Sequence, residues 1–202
     1  MSFASLSDLR NLKVLVLHPA NAEGEFLVDH LRRIGCTATQ DWPVPNAPPE
    51  DVDVVFLAIE DDARDEIKQF VTNVRTPGPT ILAIVSYENP TALQMVLESG
   101  ALAVIERPIK PFGLLTNLAI ARNSWLTQQN LQRDIRKYKR KVMGDKQVAR
   151  AKVILMAANG ATESEAHNEI RQMAMAQQMS MEEVAESIIS SEGRLQRVQN
   201  RG

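Results

Sequence analysis

The sequence predicts an α/β protein: a doubly wound parallel five-stranded sheet over residues 1–113, then a long coiled-coil helix over 114–145 and a small three-helix bundle over 146–193. Three observations predict it. Up to about residue 110, short continuous apolar runs alternate with segments of helical period, the rhythm of strands buried on both faces between layers of helix. Leu114 to Met143 contains neither Gly nor Pro. Beyond Lys146, stretches of helical period are separated by start and stop signals.

Leu12 to Leu17 (LKVLVL) is an apolar, β-branched run that ends at His18-Pro19, which reads as a buried strand. Glu23 to Ile34 carries Phe26, Leu27, Leu31 and Ile34 at helical spacing, and Gly35 ends it. Cys36 to Thr39 is a short second strand. Prolines 43, 45, 48 and 49 make WPVPNAPP a loop. Val52 to Ile59 (VDVVFLAI) is the strongest strand in the chain. Asp62 to Val74 follows as a helix, broken by Thr76-Pro77-Gly78-Pro79. Thr80 to Val85 is another buried strand. Pro90 to Ser99 is a helix opened by its proline and terminated by Gly100. Ala103 to Ile105 is the last strand, and Pro108 and Pro111 lead into the long helix. This is a flavodoxin-like arrangement, in which a ligand or reaction site lies beyond the carboxyl ends of the strands where strand order reverses. Function is therefore expected just after Leu17, Ile59 and Val85.

On the long helix, Leu131, Ile135, Tyr138 and Val142 are spaced 4, 3 and 4, with Ala149 continuing the stripe and Asp145 interrupting it. That seam suits either a homodimeric coiled coil or a helix folded against its own domain. Lys146 to Ala158 turns Val148, Ala151, Leu155 and Met156 to one face and closes at Asn159-Gly160. Thr162 with Glu165 is a capping-box start, repeated by Ser180 with Glu183. Ala166, Ile170, Met173 and Ala174 form the inner stripe of the second bundle helix, and Val184, Ala185, Ile188 and Ile189 that of the third. The tail after Gly193 is polar and expected to fray.

With 202 residues, 44% hydrophobic and 24% charged, the chain can bury a core, and its net charge of −2 is not that of a polycation. One cysteine, Cys36, excludes an internal disulfide and a cysteine-rich zinc site. With no signal-peptide pattern and no apolar run of membrane-spanning length, a cytoplasmic, membrane-free protein is expected. His18, His30 and His167 are scattered without metal-ligand spacing, and His167 is expected to pack between helices. There is no Gly-rich phosphate loop and no nucleophile–base constellation, so neither an enzyme nor a cofactor is expected. The methionines are expected to fill core gaps, and an exposed Trp125 would mark a subunit or partner contact.

Charge is divided unevenly. Up to Ile120 there are 9 Lys/Arg against 16 Asp/Glu; after it, 14 against 9. Between Asn130 and Lys152 stand Arg133, Arg136, Lys137, Lys139, Arg140, Lys141, Lys146, Arg150 and Lys152 against only Asp134 and Asp145. An acidic domain joined to a basic one points to a polyanionic partner, although a solvated helix face has the same composition.

Glu98-Ser-Gly-Ala-Leu-Ala-Val-Ile-Glu-Arg107-Pro108 resembles the stretch of bacterial response-regulator receiver domains that ends in Lys-Pro. The resemblance implies a phosphoacceptor aspartate after the third strand and two metal-holding carboxylates after the first, since Mg²⁺ takes oxygen ligands. Here the acceptor position falls on Ala58, the lysine position on Arg107, and the Ser/Thr position on Val85 or Ser86. His18-Pro19-Ala20-Asn21 offers no carboxylate before Glu23. Glu60, Asp61 and Asp62 follow closely, leaving a displaced acceptor as the alternative. The resemblance thus implies a pseudo-receiver kept as a binding surface, with a cis Arg107-Pro108 bond.

Ala151-Lys152-x-x-Leu155-Met156, Gly160, Glu165-Ala166-His167, Ile170-Arg171, Ala174-Met175, Val184-Ala185 and Ile188-Ile189 resemble the ANTAR domain of AmiR/NasR-type antiterminators. The resemblance implies a dimer that binds paired hairpin loops in leader mRNA and so favours the antiterminator. It also implies a ligand-sensing negative regulator protein of the amide-binding type that silences it. The RNA-binding residues expected are Lys146, Arg150, Ala151, Lys152 and Arg171, with cations meeting phosphates and the small Ala151 letting the RNA backbone or a neighbouring helix approach. Gln147 stands where a basic residue is common. Two alternatives remain: a DNA-binding response regulator, disfavoured by Glu163, Glu165 and Glu169 on the second bundle helix, and a protein-interaction adaptor whose basic helix is only a coiled coil.

Overall fold

Alternate residues of a strand point to opposite faces of its sheet, and here each face buries its own core. The computed structural model describes residues 9–86 and 90–199, with side chains as far as Glu192. Strands β1 (Lys13–Leu17), β2 (Thr37–Asp41), β3 (Val54–Ala58), β4 (Thr80–Val85) and β5 (Ala103–Glu106) pair in parallel in the order β2-β1-β3-β4-β5. Val14, Val16, Val54, Phe56, Leu82 and Ile84 pack under helix α1 (Ala22–Arg33) and under Leu114, Leu118 and Ala121 of helix α4 (Pro111–Asn159). Leu15, Leu17, Val55, Leu57, Ile81 and Ala83 pack under α2 (Arg64–Thr72) and α3 (Pro90–Ser99). The expected helix over 62–74 is divided, its first residues forming a 3₁₀ turn at Asp61–Ala63 before α2 begins.

The chain separates into two compact units with the boundary after Asn130. The expected boundary at 113/114 falls inside the first unit, because Leu114, Leu118 and Ala121 are fully buried against the sheet. Trp125 is part of the same packing and not an exposed contact. Its Nε1–H donates to the Gly78 carbonyl (2.9 Å), and the Arg122 guanidinium lies 4.5 Å above its ring. Arg122 in turn donates to the Asp53 carbonyl and to Thr80 Oγ1.

In the second unit α4, α5 (Glu163–Gln177) and α6 (Met181–Gln199) form the bundle. The sequence predicts a fresh helix at Lys146; instead α4 runs without a break from Pro111 to Asn159. Gly144, which costs a helix about 1 kcal/mol relative to alanine, is kept within it by packing. A Cβ there would sit 2.6 Å from Glu182 Cγ on the first turn of α6, so any other residue would force that side chain aside. α4 ends as expected, with Gly160 at φ +65° and its N–H on the Met156 carbonyl. Thr162 and Glu165 form the reciprocal capping box, and Ser180 and Glu183 form a second one. α6 extends to Gln199, past the expected end at Gly193; residues 200–202 and the side chains beyond Glu192 lie outside the described residues. Two other expectations change. His167 is exposed, and Met175 and Met179 are exposed while Met173 and Met181 pack against the core.

Phe56 is fully buried at the centre of β3. Phe56→Ala is expected to destabilise the protein by about 3–5 kcal/mol, the usual cost of such a cavity, read as a fall in the urea midpoint of the transition that reports on the sheet.

Candidate functional site

The positions just beyond β1, β3 and β4 do converge, and they converge on Arg107, at the end of β5. Its Nη2 donates to Glu60 Oε1 at 2.6 Å, and its Nη1 donates to Ser86 Oγ at 2.6 Å. Its Nε lies 2.8 Å from Glu23 Oε2, an ion pair in which the N–H is not aligned on the oxygen. The Arg107 side chain is 18% exposed and each carboxylate 25%, so these charges are only lightly screened. His18, fully buried at the end of β1, completes the cluster. Its Nδ1 is 3.0 Å from the Pro19 carbonyl, which can only accept; Nδ1 therefore carries a proton, and Nε2 faces Arg107 Nη2 at 3.0 Å and Glu23 Oε2 at 3.2 Å. Gln40 Nε2 donates to the carbonyls of His18 and Pro19 and fixes this turn. Gly24 makes room for it: a Cβ there would stand 2.5 Å from Gln40 Nε2 and 3.1 Å from His18 Nδ1.

Ala58 lies fully buried at the end of β3, two residues before Glu60. Of Val85 and Ser86, it is Ser86 whose side chain meets Arg107. The Arg107-Pro108 peptide is cis. The donor set does not fit a divalent metal. Glu23 and Glu60 are the carboxylates described around Arg107, and its one guanidinium engages both; a cation entering here would have to compete with Arg107 for them. Among the described residues no group of three His, Cys, Asp or Glu side chains is placed to hold a metal ion.

The five residues expected to meet RNA occupy three settings. Lys146 and Arg150 are exposed and one turn apart on α4, and Arg171 is exposed on α5. Ala151 is fully buried against α5 and α6, beside Ala166, Ile170 and Ala185, so its small size serves helix packing and gives it no surface to offer a ligand. Lys152 is only 19% exposed, and its Nζ donates to Glu163 Oε1 at 2.6 Å, tying α4 to the first turn of α5. Two residues on from Arg150 is about 200° around the helix, so Lys152 does not share the face of Lys146 and Arg150. Sequence reading missed both Glu163 as a partner of Lys152 and Arg107 as a hub. The Lys-to-Arg change before Pro108 was the one available signal of the second.

The Lys152 hydrogen bond, and then its charge, hold the Glu163 carboxyl below its ordinary value of 4.5. A lowered folded-state value means the pair's stabilisation is complete above pH 4.5 and is lost as pH falls through the lowered value. An NMR titration is expected to give Glu163 a midpoint below 4.5 that returns to the ordinary value in Lys152→Ala; equal midpoints in the two proteins would remove the pair.

Residues 12–122 match the family described as AmiR, N-terminal, and residues 136–189 match the ANTAR domain. The aliphatic amidase regulator of Pseudomonas aeruginosa is 32% identical over 188 residues, spanning 93% of this chain and 95% of that protein. Among solved structures, the response regulator StyR aligns over 90% of this chain and 99% of its own at 14% identity, with a TM-score of 0.52. NtrX from Brucella abortus aligns over 63% of this chain and 29% of its own at 18% identity, with a TM-score of 0.51. At such identities the structural likeness concerns the fold alone.

Proposed function

The chain belongs to the AmiR family of ANTAR-domain antitermination regulators, and from that premise we propose that it binds hairpin loops in leader mRNA as a homodimer and is controlled by a silencing protein instead of by phosphorylation. The observation that carries the reading is the pairing of an ANTAR-type bundle with a receiver-like domain that has Ala58 for an acceptor and Arg107 filling its pocket. An acyl phosphate needs a carboxylate, and alanine has none. The guanidinium of Arg107 is also already engaged by two carboxylates. A signal must then arrive by docking, which supports a partner such as a ligand-sensing protein of the amide-binding type.

The dimer is supported by the seam. Leu131, Ile135, Tyr138 and Val142 are each more than half exposed, at 57%, 52%, 67% and 52%, and so have no cover within the described chain. A second copy of α4 would bury them at coiled-coil spacing. RNA contact falls to the exposed Lys146, Arg150 and Arg171. Lys152 joins them where RNA displaces Glu163. The reaction partner is a transcript, so the protein works in the cytoplasm. No helix among the described residues is long and apolar enough to cross a membrane.

A mobility-shift assay across salt concentrations tests the reading, with leader RNA carrying two adjacent hairpins, random-sequence RNA of equal length, and duplex DNA. The leader RNA is expected to bind at least tenfold tighter than random RNA, a difference of about 1.4 kcal/mol. Arg150→Ala is expected to weaken that binding several-fold with no change in thermal midpoint. Equal affinity for leader and random RNA would overturn the reading, and a preference for duplex DNA would favour a DNA-binding regulator.

A further inference from the structure

At 100° per residue, Leu131, Ile135, Tyr138 and Val142 fall on one narrow side of α4. Arg133, Arg136, Lys137 and Arg140 fall on the opposite side, and all four are exposed. Together these four line one shallow open groove of about 400 Å³. The two acids of this stretch, Asp134 and Asp145, fall outside that face. None of the four cations is ion-paired among the described residues; Arg136 Nε only donates back to the Gln132 carbonyl of its own helix. Ion pairs form elsewhere, Lys13 with Asp51, Arg75 with Glu50, Arg122 with Asp53 and Lys152 with Glu163, but what sets the four cations apart is their clustering on one helix face.

A face made only for solubility gains as much from mixed signs. Like charges three and four residues apart disfavour the helix that carries them, and this face holds two pairs of each spacing. A polyanion laid along a single-sign ladder would relieve this repulsion. The ladder spans roughly 10 Å of helix and runs in line with Gly144 and Ala151, the side on which α5 and α6 pack. It therefore leads directly into the bundle. It carries no aromatic or apolar side chain for reading bases, so it suits phosphates and not sequence. Its opposite side is the seam that a second copy would cover, which leaves no apolar face free for a lipid surface.

We propose that Arg133, Arg136, Lys137 and Arg140 form a second RNA site, a phosphate-backbone track that adds sequence-independent affinity to whatever the bundle recognises. The proposal rests on the functional reading above and assigns this part of the affinity to the stretch of α4 that leads into the bundle, at and just before the start of the ANTAR match. The stated chemistry predicts a salt effect: each phosphate neutralised contributes about 0.7 to the slope of log Kobs against log[salt] on single-stranded RNA.

The test uses the full-length protein with Arg136→Gln/Arg140→Gln, a second double variant Arg133→Gln/Lys137→Gln, and a charge-matched control Arg64→Gln/Lys68→Gln on α2. Binding is measured across salt on leader RNA, on random-sequence RNA of equal length and on anionic phosphatidylserine vesicles. Either ladder variant is expected to flatten the slope by roughly 1.4 on both RNAs, while the control keeps the wild-type slope. A wild-type slope in both ladder variants, a control that flattens equally, a wild-type protein that binds no RNA, or one that prefers vesicles to RNA would overturn the proposal. If leader RNA is preferred but the ladder variants keep their slope, this proposal alone fails. If leader and random RNA bind alike and the slope still flattens, the antitermination reading fails and the track stands.

Discussion

A guanidinium held between two carboxylates governs the first unit. Arg107 reaches Glu60 at 2.6 Å and Glu23 at 2.8 Å, and through Ser86 and His18 it links the carboxyl ends of β1, β3, β4 and β5. Removing one partner of a buried ion pair costs on the order of 3–5 kcal/mol, and somewhat less where a quarter of each carboxylate stays wet. That cost keeps the arginine in place. The pocket that a doubly wound sheet makes at its switch point is thus filled from within by the chain's own charge.

The second unit follows a different constraint. Its helices approach closely because small residues line their contact: Ala151, Ala166, Ala174 and Ala185 are buried, and Gly144 admits the first turn of α6. Close helices leave little side-chain surface inside, so the cations are displaced outward, except Lys152, which is used to clamp α4 to α5 through Glu163. Exposed positive charge consequently concentrates on α4, where nothing among the described residues neutralises it between Arg133 and Arg140.

What the sequence made legible is what local physics determines. Apolar runs ended by His18-Pro19 and by Thr76-Pro77-Gly78-Pro79 marked β1 and the break before β4, and Thr162 with Glu165 marked the start of α5. The switch-point rule placed the pocket after Leu17, Ile59 and Val85, where His18, Glu60 and Ser86 are found. The misses are non-local. Gly144 reads as a helix boundary until Glu182, 38 residues on, is seen against it. Lys152 reads as a free cation until Glu163 is seen across the turn, and the exposure of Trp125 is decided only by Gly78 and Arg122 around it. Ala151 reads as a place where either the RNA backbone or a neighbouring helix could come close, and it is the helices that do.

The closure of the pocket by Arg107 is open to direct measurement. Mg²⁺ and beryllofluoride, which together reproduce a metal and a phosphoryl group, can be titrated into the protein while the amide resonances of His18, Glu60, Ser86 and Arg107 are followed by NMR. The account predicts that none of the four shifts with saturation at millimolar ligand. A saturable, coupled shift of these resonances would show that the ion cluster opens to admit a metal and a phosphoryl mimic, and would contradict it.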